Sequence, residues 1–424
     1  MAYTYPGVYI EEVPSVFRPI ESAGTSTAVF IGTTNNGAAG EPRLIFKWSD
    51  YEDQFGGIQN LNDKADAMGL AVYTFFLNGG GAAYIAHVNE GAPAVSTKTT
   101  YGYDKVFAFL AKISDINIIC LPGKAWGKVS PADNKIISAA IAHAEKMKNR
   151  MVIVDLDPET VLTQEADVKG LNPPSSKFSV TYYPWLKVAN SFYGLQEEEK
   201  DGDGKGVDNG GGKDGSGKDG GGKKDAVPSP PPTFSIAPSS FVAGMWAKID
   251  RGRGVWKAPA GVETALSGVA GLVDSVDDER QGILNPLGIN CIRKIPGAGP
   301  VIWGSRTLAT MAKPEWCYVP VRRTACMIEE SIYNNIQWAV FEPNDHRLWS
   351  SLRVNIDSFM NGLWRAGAFQ GAKASDAYFV SCNLGDTMGQ DNIDKGEVVV
   401  RVGFAPLKPA EFVIIRIQQK VAQQ

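Results

Sequence analysis

Short apolar runs alternate with helical patterns through the first half of the chain. Buried strands are predicted at 28–32, 82–88, 116–121, 151–155 and 178–183. Between the third and fourth runs, Ser130-Pro131 has the form of a helix start, with proline at the first helical position. Apolar residues then recur at helical spacing, at Ile136, Ile137, Ala140, Ile141, Ala144 and Met147. A buried strand on each side of one amphipathic helix is typical of a parallel crossover, so the pattern predicts an α/β domain over 21–193.

Helix-start and helix-stop signals predict two more helices in this domain. Ser49 and Glu52 have the spacing of a capping box, which marks the start of a short helix. A second helix is predicted over 63–77, because the glycines at 79–81 can adopt the left-handed conformation that ends a helix.

The second half of the chain predicts an α+β domain over 235–405. One amphipathic helix is predicted over 324–340, where Ile328, Ile332 and Ile336 are four residues apart. A second is predicted over 345–366, capped by Asn344 or Asp345 and ended by Gly367. Its apolar face consists of Leu348, Leu352, Ile356, Phe359 and Leu363. Strands are predicted at 378–382, 397–404 and 412–417, the last two as antiparallel neighbours joined by a proline-containing crossing.

Three segments lie outside these two domains. Residues 1–20 carry prolines at 6, 14 and 19, which favours an extended arm that must join a sheet edge of its own domain or of a neighbour. Residues 194–234 are almost entirely Gly, Lys, Asp and Glu before a proline run, so we predict a flexible surface insert within a domain. A role of this insert in display or tethering stays an alternative. Residues 406–424 are predicted to form a C-terminal strand and linking arm.

Composition and charge exclude several classes of protein. Apolar residues make up 44% and charged residues 21% of the 424 residues, which is typical of a globular protein. The net charge of -4 argues against binding to nucleic acid. The first residues lack the pattern of a signal peptide, and no apolar run is long enough to span or insert into a membrane. The five cysteines form no C-x-x-C pair, so we expect buried thiols rather than disulfides or a zinc site.

Few residues suggest chemistry. His87, His143 and His346 have no metal-ligand spacing, and we expect each to lie in solvent or at a helix end. The glycine-rich stretch 297–304 lacks the Lys-Ser/Thr of a P-loop and is interpreted as a turn entering a strand. Asp155 and Asp157 follow a predicted strand, where α/β enzymes often place acids. We interpret them as solvated loop acids, with an α/β enzyme as the alternative function. We therefore predict no catalytic, cofactor-binding or metal-binding residues.

Several motifs occur in the order found in one protein family. Near the start, 5–12 reads Tyr-Pro-Gly-Val-Tyr-Ile-Glu-Glu, and 182–185 reads Tyr-Tyr-Pro-Trp before the insert. Later come Arg-Arg-Thr at 322–324, Val-Phe-Glu-Pro-Asn at 340–344, and Ala-Pro-Leu-Lys-Pro-Ala-Glu-Phe at 405–412. This order resembles the contractile tail sheath proteins, the subunits that polymerise around the tube of myophage tails, R-type pyocins and phage-like injection particles. The insert is not part of the family core, and the compact chain favours a pyocin-like or extracellular injection particle, with a phage still open.

The resemblance implies a tail-sheath fold with extended N- and C-terminal arms, and a structural subunit rather than an enzyme. Such a subunit polymerises helically, is assembled in a metastable extended state and contracts to drive the tube through a target membrane, without a nucleotide or cofactor. The arms would add strands to the sheets of neighbouring subunits. The residues implied in this exchange are Tyr5, Val8, Tyr9, Ile10, Glu11, Phe412, Val413, Ile414, Ile415 and Ile417.

The resemblance also implies partners and a location. The partners would be further copies of this chain, the inner tube protein, the baseplate and terminator or cap proteins, and paralogous sheath subunits where the particle has them. The helix at 345–366 resembles the tube-facing element of the family. Arg347, Arg353 and Arg365 on it would contact an acidic tube, or else be solvated arginines on an exposed helix face. Synthesis is expected in the cytoplasm of a bacterium or infected host, followed by incorporation into a phage tail or extracellular particle. A non-contractile surface-layer subunit is a third alternative.

Overall fold

An eight-stranded mixed sheet is the largest element of the fold. The computed structural model describes residues 18–37, 41–61, 64–89, 102–128, 130–193, 232–309 and 312–412. From edge to edge, the strands are β11 (Gly299–Trp303), β10 (Ile289–Ile295), β6 (Ser179–Tyr183), β5 (Met151–Val154), β4 (Ile118–Cys120), β1 (Ala28–Gly32), β3 (Ala83–His87) and β2 (Arg43–Ile45). The six inner strands run parallel, and each edge strand runs antiparallel to its neighbour.

Helices cover both faces of this sheet. One face is covered by α1 (Trp48–Phe55), α2 (Ala67–Leu77) and α6 (Ser239–Arg253), and the other by α3 (Tyr103–Leu110), α4 (Pro131–Met147), α5 (Glu165–Leu171) and α7 (Asp278–Leu284). In β1, Ala28 and Phe30 belong to the first apolar core, whereas Val29 and Ile31 belong to the second. Burial on both faces explains why the strands have continuous apolar sequences instead of alternating ones.

The parallel crossover from β4 through α4 to β5 is confirmed. β4 and β5 pair in parallel, and α4 begins at Pro131 as predicted. Ser130 occupies the N-cap position, but its side chain makes no capping hydrogen bond. The glycine-rich stretch 297–304 forms the turn and second strand of the hairpin β10–β11, as predicted.

The strands on either side of the insert belong to a three-stranded sheet. Its strands are β7 (Leu186–Ala189), β8 (Thr233–Ile236) and β9 (Gly271–Leu272). Ala189 pairs with Thr233, so the two ends of the insert leave from neighbouring strands. β8 begins inside the range predicted for the insert, whose predicted end at residue 234 is therefore too late. Residues 194–231 lie outside the described residues.

A smaller α+β unit follows the large sheet. It contains α8 (Val319–Asn335), α9 (His346–Arg365), α10 (Ala374–Ala377), β12 (Tyr378–Ser381), α11 (Gln390–Asp394) and β13 (Arg401–Phe404). The predicted apolar face of α9 is buried in two clusters with the end of α8 and the β12–β13 hairpin. The predicted cap is also confirmed, because the Asp345 carboxylate accepts hydrogen bonds from the N–H groups of Arg347 and Leu348.

Several predicted boundaries are wrong. Ser49 lies inside α1, which begins after Lys47 without a side-chain cap. α2 begins at Ala67 and is capped by Asp66. α8 begins at Val319 instead of residue 324 and ends at Asn335, and a short 3-10 turn follows it. The reason is that the two arginines in its first turns, which interrupt the apolar pattern, are buried within the protein.

The last predicted strands form only in part. Of 397–404, only Arg401–Phe404 is a strand, and its partner is β12. Phe412 lies outside any strand, and 413–417 lie outside the described residues. The large sheet and its helices draw on residues before and after the insert, since β10, β11, α6 and α7 all follow residue 235. The division into domains 21–193 and 235–405 remains a prediction.

Candidate functional site

The segment that carries the N-terminal arm is bound to helix α8. The Ala23 backbone N–H donates to Ser331 Oγ at 2.8 Å, and the Asn335 amide donates to the Glu21 carbonyl at 3.1 Å. Arg18, the first described residue, donates its backbone N–H to Asn355 Oδ1 on α9 at 3.2 Å. Residues 18–25 are therefore held against the folded chain, and a free N-terminal arm could include only residues that precede Arg18.

A buried ion pair holds the end of this segment. Arg323 and Asp250 have side chains that are 4% and 5% exposed, and their two contacts measure 2.9 and 2.5 Å. Thr25 joins both partners, since its hydroxyl donates to Asp250 at 2.6 Å and its carbonyl accepts from Arg323 at 2.8 Å. The guanidinium also lies 4.5 Å from the ring centre of Trp246. The N-terminal segment is thus fixed to both α6 and α8, and we call this cluster the N-terminal root.

The C-terminal segment has a similar attachment. Arg306 binds the Glu411 carboxylate through two nitrogens, and its Nε donates to Oε1 at 2.9 Å. Both side chains are largely buried, at 14% and 16% exposed, and the Tyr318 hydroxyl donates to the same carboxylate at 3.3 Å. The next residue, Phe412, is 76% exposed. This C-terminal root therefore fixes the chain immediately before the predicted linking strand.

The small β12–β13 sheet leaves apolar strand sequence unpaired. β12 and β13 pair only with each other among the described residues. The preceding residues Val398, Val399 and Val400 have the composition of a strand but belong to no ladder. Phe379 on β12 is 53% exposed. An extended segment from elsewhere would find backbone groups and apolar side chains here.

The three arginines predicted to face the tube do not share one orientation. Helical geometry places Arg347 and Arg365 five turns apart on one stripe, because each residue advances about 100°. Both are exposed on α9, together with Val354. Arg353 lies on the flank of the helix and donates to the Cys382 carbonyl at 2.7 Å. Arg347 and Arg365 are therefore available to a partner, whereas Arg353 stabilises a loop of its own chain.

The connection between α8 and α9 presents an exposed phenylalanine. Phe341 is 102% exposed and has a φ of 70°, a left-handed conformation that is rare for a bulky residue. The loop is fixed, because the Asn344 amide donates to the Glu397 carbonyl at 3.2 Å and its oxygen accepts from Trp349 at 2.7 Å. Such strain is retained where the surrounding structure imposes it, often at functional positions.

The interpretation of Asp155 as a solvated loop acid is wrong. Its side chain is 3% exposed and accepts hydrogen bonds from Ser239 N at 3.1 Å and Ser239 Oγ at 2.5 Å, at the start of α6. Burial raises the pKa of Asp155 to about 7, and the hydrogen bonds from Ser239 act in the opposite direction. Asp157 instead accepts from the Glu159 N–H in a turn. Asp155 caps a helix, and the two carboxylates make different contacts.

The histidines and cysteines show no shared site. His143 is buried, so the prediction that it is solvated is wrong. Its burial, and secondly the charge of Arg150, lower the pKa of His143 to about 4. His87 accepts from the Thr34 N–H at 3.0 Å, and His346 packs on its own helix. All five cysteines are buried free thiols, as predicted. Among the residues described, no histidine, cysteine or acidic group could hold a metal, and no helix could cross a membrane.

Sequence reasoning missed both roots. Asp250 follows an apolar helix pattern and looks like a surface acid, and Arg306 lies outside the strands, in an isolated β-bridge with Tyr318. The available signal was the adjacent pair at 322–323, since two charges in an otherwise apolar helix start indicate buried partners.

Comparisons with known proteins agree on one family. Residues 99–308 match the model of the phage tail sheath protein central domain, and 312–420 match that of the phage tail sheath C-terminal domain. The chain is similar to the sheath of an extracellular contractile injection system, PVC, in its contracted state, with 27% identity, a TM-score of 0.73 and 99% of both chains covered. It is also similar to a chain of the anti-feeding prophage baseplate, with 28% identity, a TM-score of 0.71 and 99% and 100% covered.

A curated phage protein matches over a shorter range. The tail sheath protein of Vibrio phage KVP40 is 26% identical over 175 residues, which is 41% of this chain. The match spans only 25% of the length of that relative.

Proposed function

Because the chain belongs to the phage tail sheath family, we propose that it is the structural subunit of a contractile sheath. The subunits polymerise helically around an inner tube, and contraction drives the tube through a target membrane. The likeness to chains in a sheath and in a baseplate supports self-association and contact with a baseplate. The particle is a phage tail or an extracellular contractile injection particle. An inner tube protein and a terminal cap protein are the further partners of this proposal.

One observation carries the assembly mechanism: an unpaired apolar strand segment lies in a subunit whose two terminal segments are firmly anchored. Residues 397–404 have strand composition, but only Arg401–Phe404 has a partner. A strand supplied by a neighbouring subunit would satisfy the remaining backbone groups and complete the burial of Val398–Val400, which are half-buried against the cluster of Leu348, Trp349 and Leu352. Because donor and acceptor surfaces differ, such contacts propagate as a helix instead of closing into a dimer.

The donors in this mechanism are the two terminal arms. Arg18 is bound to α9 and the N-terminal root holds Thr25, so the chain is fixed from residue 18 onwards, and the C-terminal root fixes it up to Glu411. Residues beyond those points can therefore reach a neighbour without loosening the body. We assign the exchanged strands to the predicted residues Tyr5, Val8, Tyr9, Ile10, Glu11, Phe412, Val413, Ile414, Ile415 and Ile417.

Helix α9 is the proposed contact with the tube. Arg347 and Arg365 supply two positive charges on one exposed stripe, which suits an acidic partner surface. Such contacts weaken as salt screens them, over about 10 Å at 0.1 M ionic strength. Arg353 contributes indirectly, by holding the loop beside the helix.

Electron microscopy of truncated chains tests the arm exchange. Deletion of residues 1–13 is expected to abolish polymerisation while leaving a folded monomer, because residues 18–25 and the N-terminal root remain intact. Deletion of 413–424 is expected to have the same effect from the other end. A matched deletion of 205–217 removes as many residues from the insert as the N-terminal deletion removes from the arm, and it should leave polymerisation intact. Normal polymers from both arm deletions would refute strand exchange.

The enzyme alternative loses its main support. Tail sheath proteins are structural, and the Asp155 carboxylate is fully engaged with Ser239 at a helix start. Replacing Asp155 and Asp157 by Asn is therefore expected to leave assembly unchanged. A turnover by the native protein that this variant lacks would restore the alternative.

A further inference from the structure

A polar cavity of about 520 Å³ has no lining residue in either root or in α9. It is bounded by the end of α4, the residues that precede β6, the turn around 309–313 and the outer side of α8. Its charged lining residues are Glu145, Lys148, Lys177, Lys313, Arg322 and Glu329. None of these residues takes part in the roots or in the proposed strand exchange.

Arg322 forms a rigid floor of the cavity. Its side chain is 2% exposed, and its guanidinium carbon lies 4.9 Å from the ring centre of Phe178 and 4.4 Å from that of Trp316. Nη2 donates to Glu329 Oε1 at 2.7 Å, and Nε donates to Cys326 Sγ at 3.4 Å. Among the described residues these contacts use Nε and Nη2, so Nη1 remains as a donor for a ligand.

Lys177 adds a second cation against the same aromatic ring. Its Nζ lies 4.7 Å from the ring centre of Trp316. Burial lowers the pKa of Lys177, and the charges of Arg322 and Lys313 lower it further. The positive charges around the cavity therefore repel one another, which is the condition that an anion would relieve.

The charges of the lining do not balance. Lys148, Lys177, Lys313 and Arg322 are opposed by only Glu145 and Glu329. Both acids have other partners, since Glu329 pairs with Arg322 and Glu145 accepts from the Ser176 hydroxyl at 2.6 Å. The excess of two positive charges matches a dianion. A phosphate monoester carries about -1.5 to -2 charges at pH 7 and offers three strong acceptor oxygens, and inorganic phosphate offers the same acceptor chemistry.

We propose that this cavity binds a phosphate dianion, as inorganic phosphate or as the phosphate group of a small monoester. Lys177 and Lys313 neutralise its charge, and Arg322 Nη1 donates from the floor. Because α8 and the residues that lead into β6 meet at this cavity, the bound anion joins the smaller α+β unit to the large sheet. The site is independent of arm exchange, so it is tested on the unassembled full chain.

Isothermal titration calorimetry with inorganic phosphate is the direct test, at constant ionic strength set with chloride. We expect saturable binding by the native chain, and at least a tenfold weaker affinity for Lys177→Met combined with Lys313→Met. Both lysines lie at the cavity rim, so this variant should fold, whereas substitution of buried Arg322 need not. Lys187→Met on β7 combined with Lys294→Met on β10 removes the same two charges from exposed positions away from the cavity and serves as the matched control.

Two further arms complete the test. Glycerol phosphate in place of phosphate shows whether the cavity admits a monoester; equal affinity would assign the site to monoesters as well as to the free ion. Thermal unfolding should give a higher midpoint in phosphate than in chloride, with no such shift in the double variant. Absence of saturable phosphate binding, or equal affinity in the double variant, would overturn the proposal.

Discussion

Replacing Arg323 by methionine is expected to destabilise the isolated subunit strongly. The substitution keeps a long side chain against Trp246 but leaves the Asp250 carboxylate, which is 5% exposed, without a counter-charge. Thr25 loses the donor to its carbonyl as well. The N-terminal root would then consist of a buried charge held by one hydroxyl.

The magnitude follows from burial. Removing one partner of a buried ion pair costs about 3–5 kcal/mol, because the remaining charge stays desolvated. A lost hydrogen bond to the Thr25 carbonyl adds about 1 kcal/mol. We therefore expect a loss of about 4–6 kcal/mol in the free energy of unfolding, comparable with the whole stability of the less stable domains.

Urea denaturation of the full chain, followed by tryptophan fluorescence, measures this loss. Arg347→Met is the matched control, because Arg347 is exposed on α9 and should change stability by less than about 0.5 kcal/mol. Adding Asp250→Asn to Arg323→Met removes the stranded charge and should recover most of the loss. A loss below about 1 kcal/mol, or a double variant no more stable than the single one, would refute the buried-charge reasoning.

Three other substitutions test features of the same structure. The pKa of Asp155 in the folded state is about 7, above the ordinary value of 3.8, so ionisation of this carboxyl opposes folding. The native chain should therefore lose stability relative to Asp155→Asn as pH rises from 4 to 7, by up to about 4 kcal/mol. The pH dependence from His143 has the opposite direction, because its pKa of about 4 in the folded state lies below the ordinary value of 6.5. The free energy of unfolding of the native chain should fall by about 3 kcal/mol as pH falls from 6.5 to 4, and His143→Phe should lack this dependence. Urea titrations at each pH check both, and a pH-independent difference from the native chain would contradict either. Phe341→Gly relieves the strain of a left-handed φ, so the free energy of unfolding of the subunit should stay unchanged or rise by up to about 1 kcal/mol. The same variant should form fewer polymers in electron microscopy. Unchanged polymerisation would show that the strain has no role in assembly.

The large sheet is predictable because its strands are buried on both faces. Continuous apolar runs between helix signals, such as 28–32 and 151–155, are typical of buried strands. The crossover through α4 follows from handedness and helix spacing. The same reasoning finds α9, whose apolar stripe and Asp345 cap are both local in sequence. Local sequence patterns therefore suffice to predict an element that packs against the hydrophobic core next to it.

Other features depend on contacts that sequence spacing does not reveal. α8 begins earlier than predicted because Arg322 and Arg323 are buried against aromatic rings and acids from distant segments. The C-terminal root joins Arg306 and Glu411, which are 105 residues apart. The strands β10 and β11, at one end of the large sheet, complete a sheet begun before the insert. The two terminal arms stay a prediction from the sequence, whereas the residues that anchor the segments next to them could not be predicted from it.

Both roots bind a terminal segment through a guanidinium and a carboxylate. The two-pronged contact fixes direction as well as distance, because the planar donors of arginine match both carboxylate oxygens. An apolar contact of similar area would allow sliding. A subunit that transmits movement to its neighbours through its terminal segments needs that direction fixed where each segment leaves the body.

This argument separates stability from assembly. The combined Asp250→Asn and Arg323→Met variant should recover most of the stability of the native subunit, since it leaves no unpaired charge buried. Its N-terminal segment, however, would no longer be oriented by the fork between α6 and α8. We expect a folded subunit that forms short or irregular polymers, as measured by electron microscopy and sedimentation. Regular polymers of native length from this variant would show that the ion pair contributes only to folding.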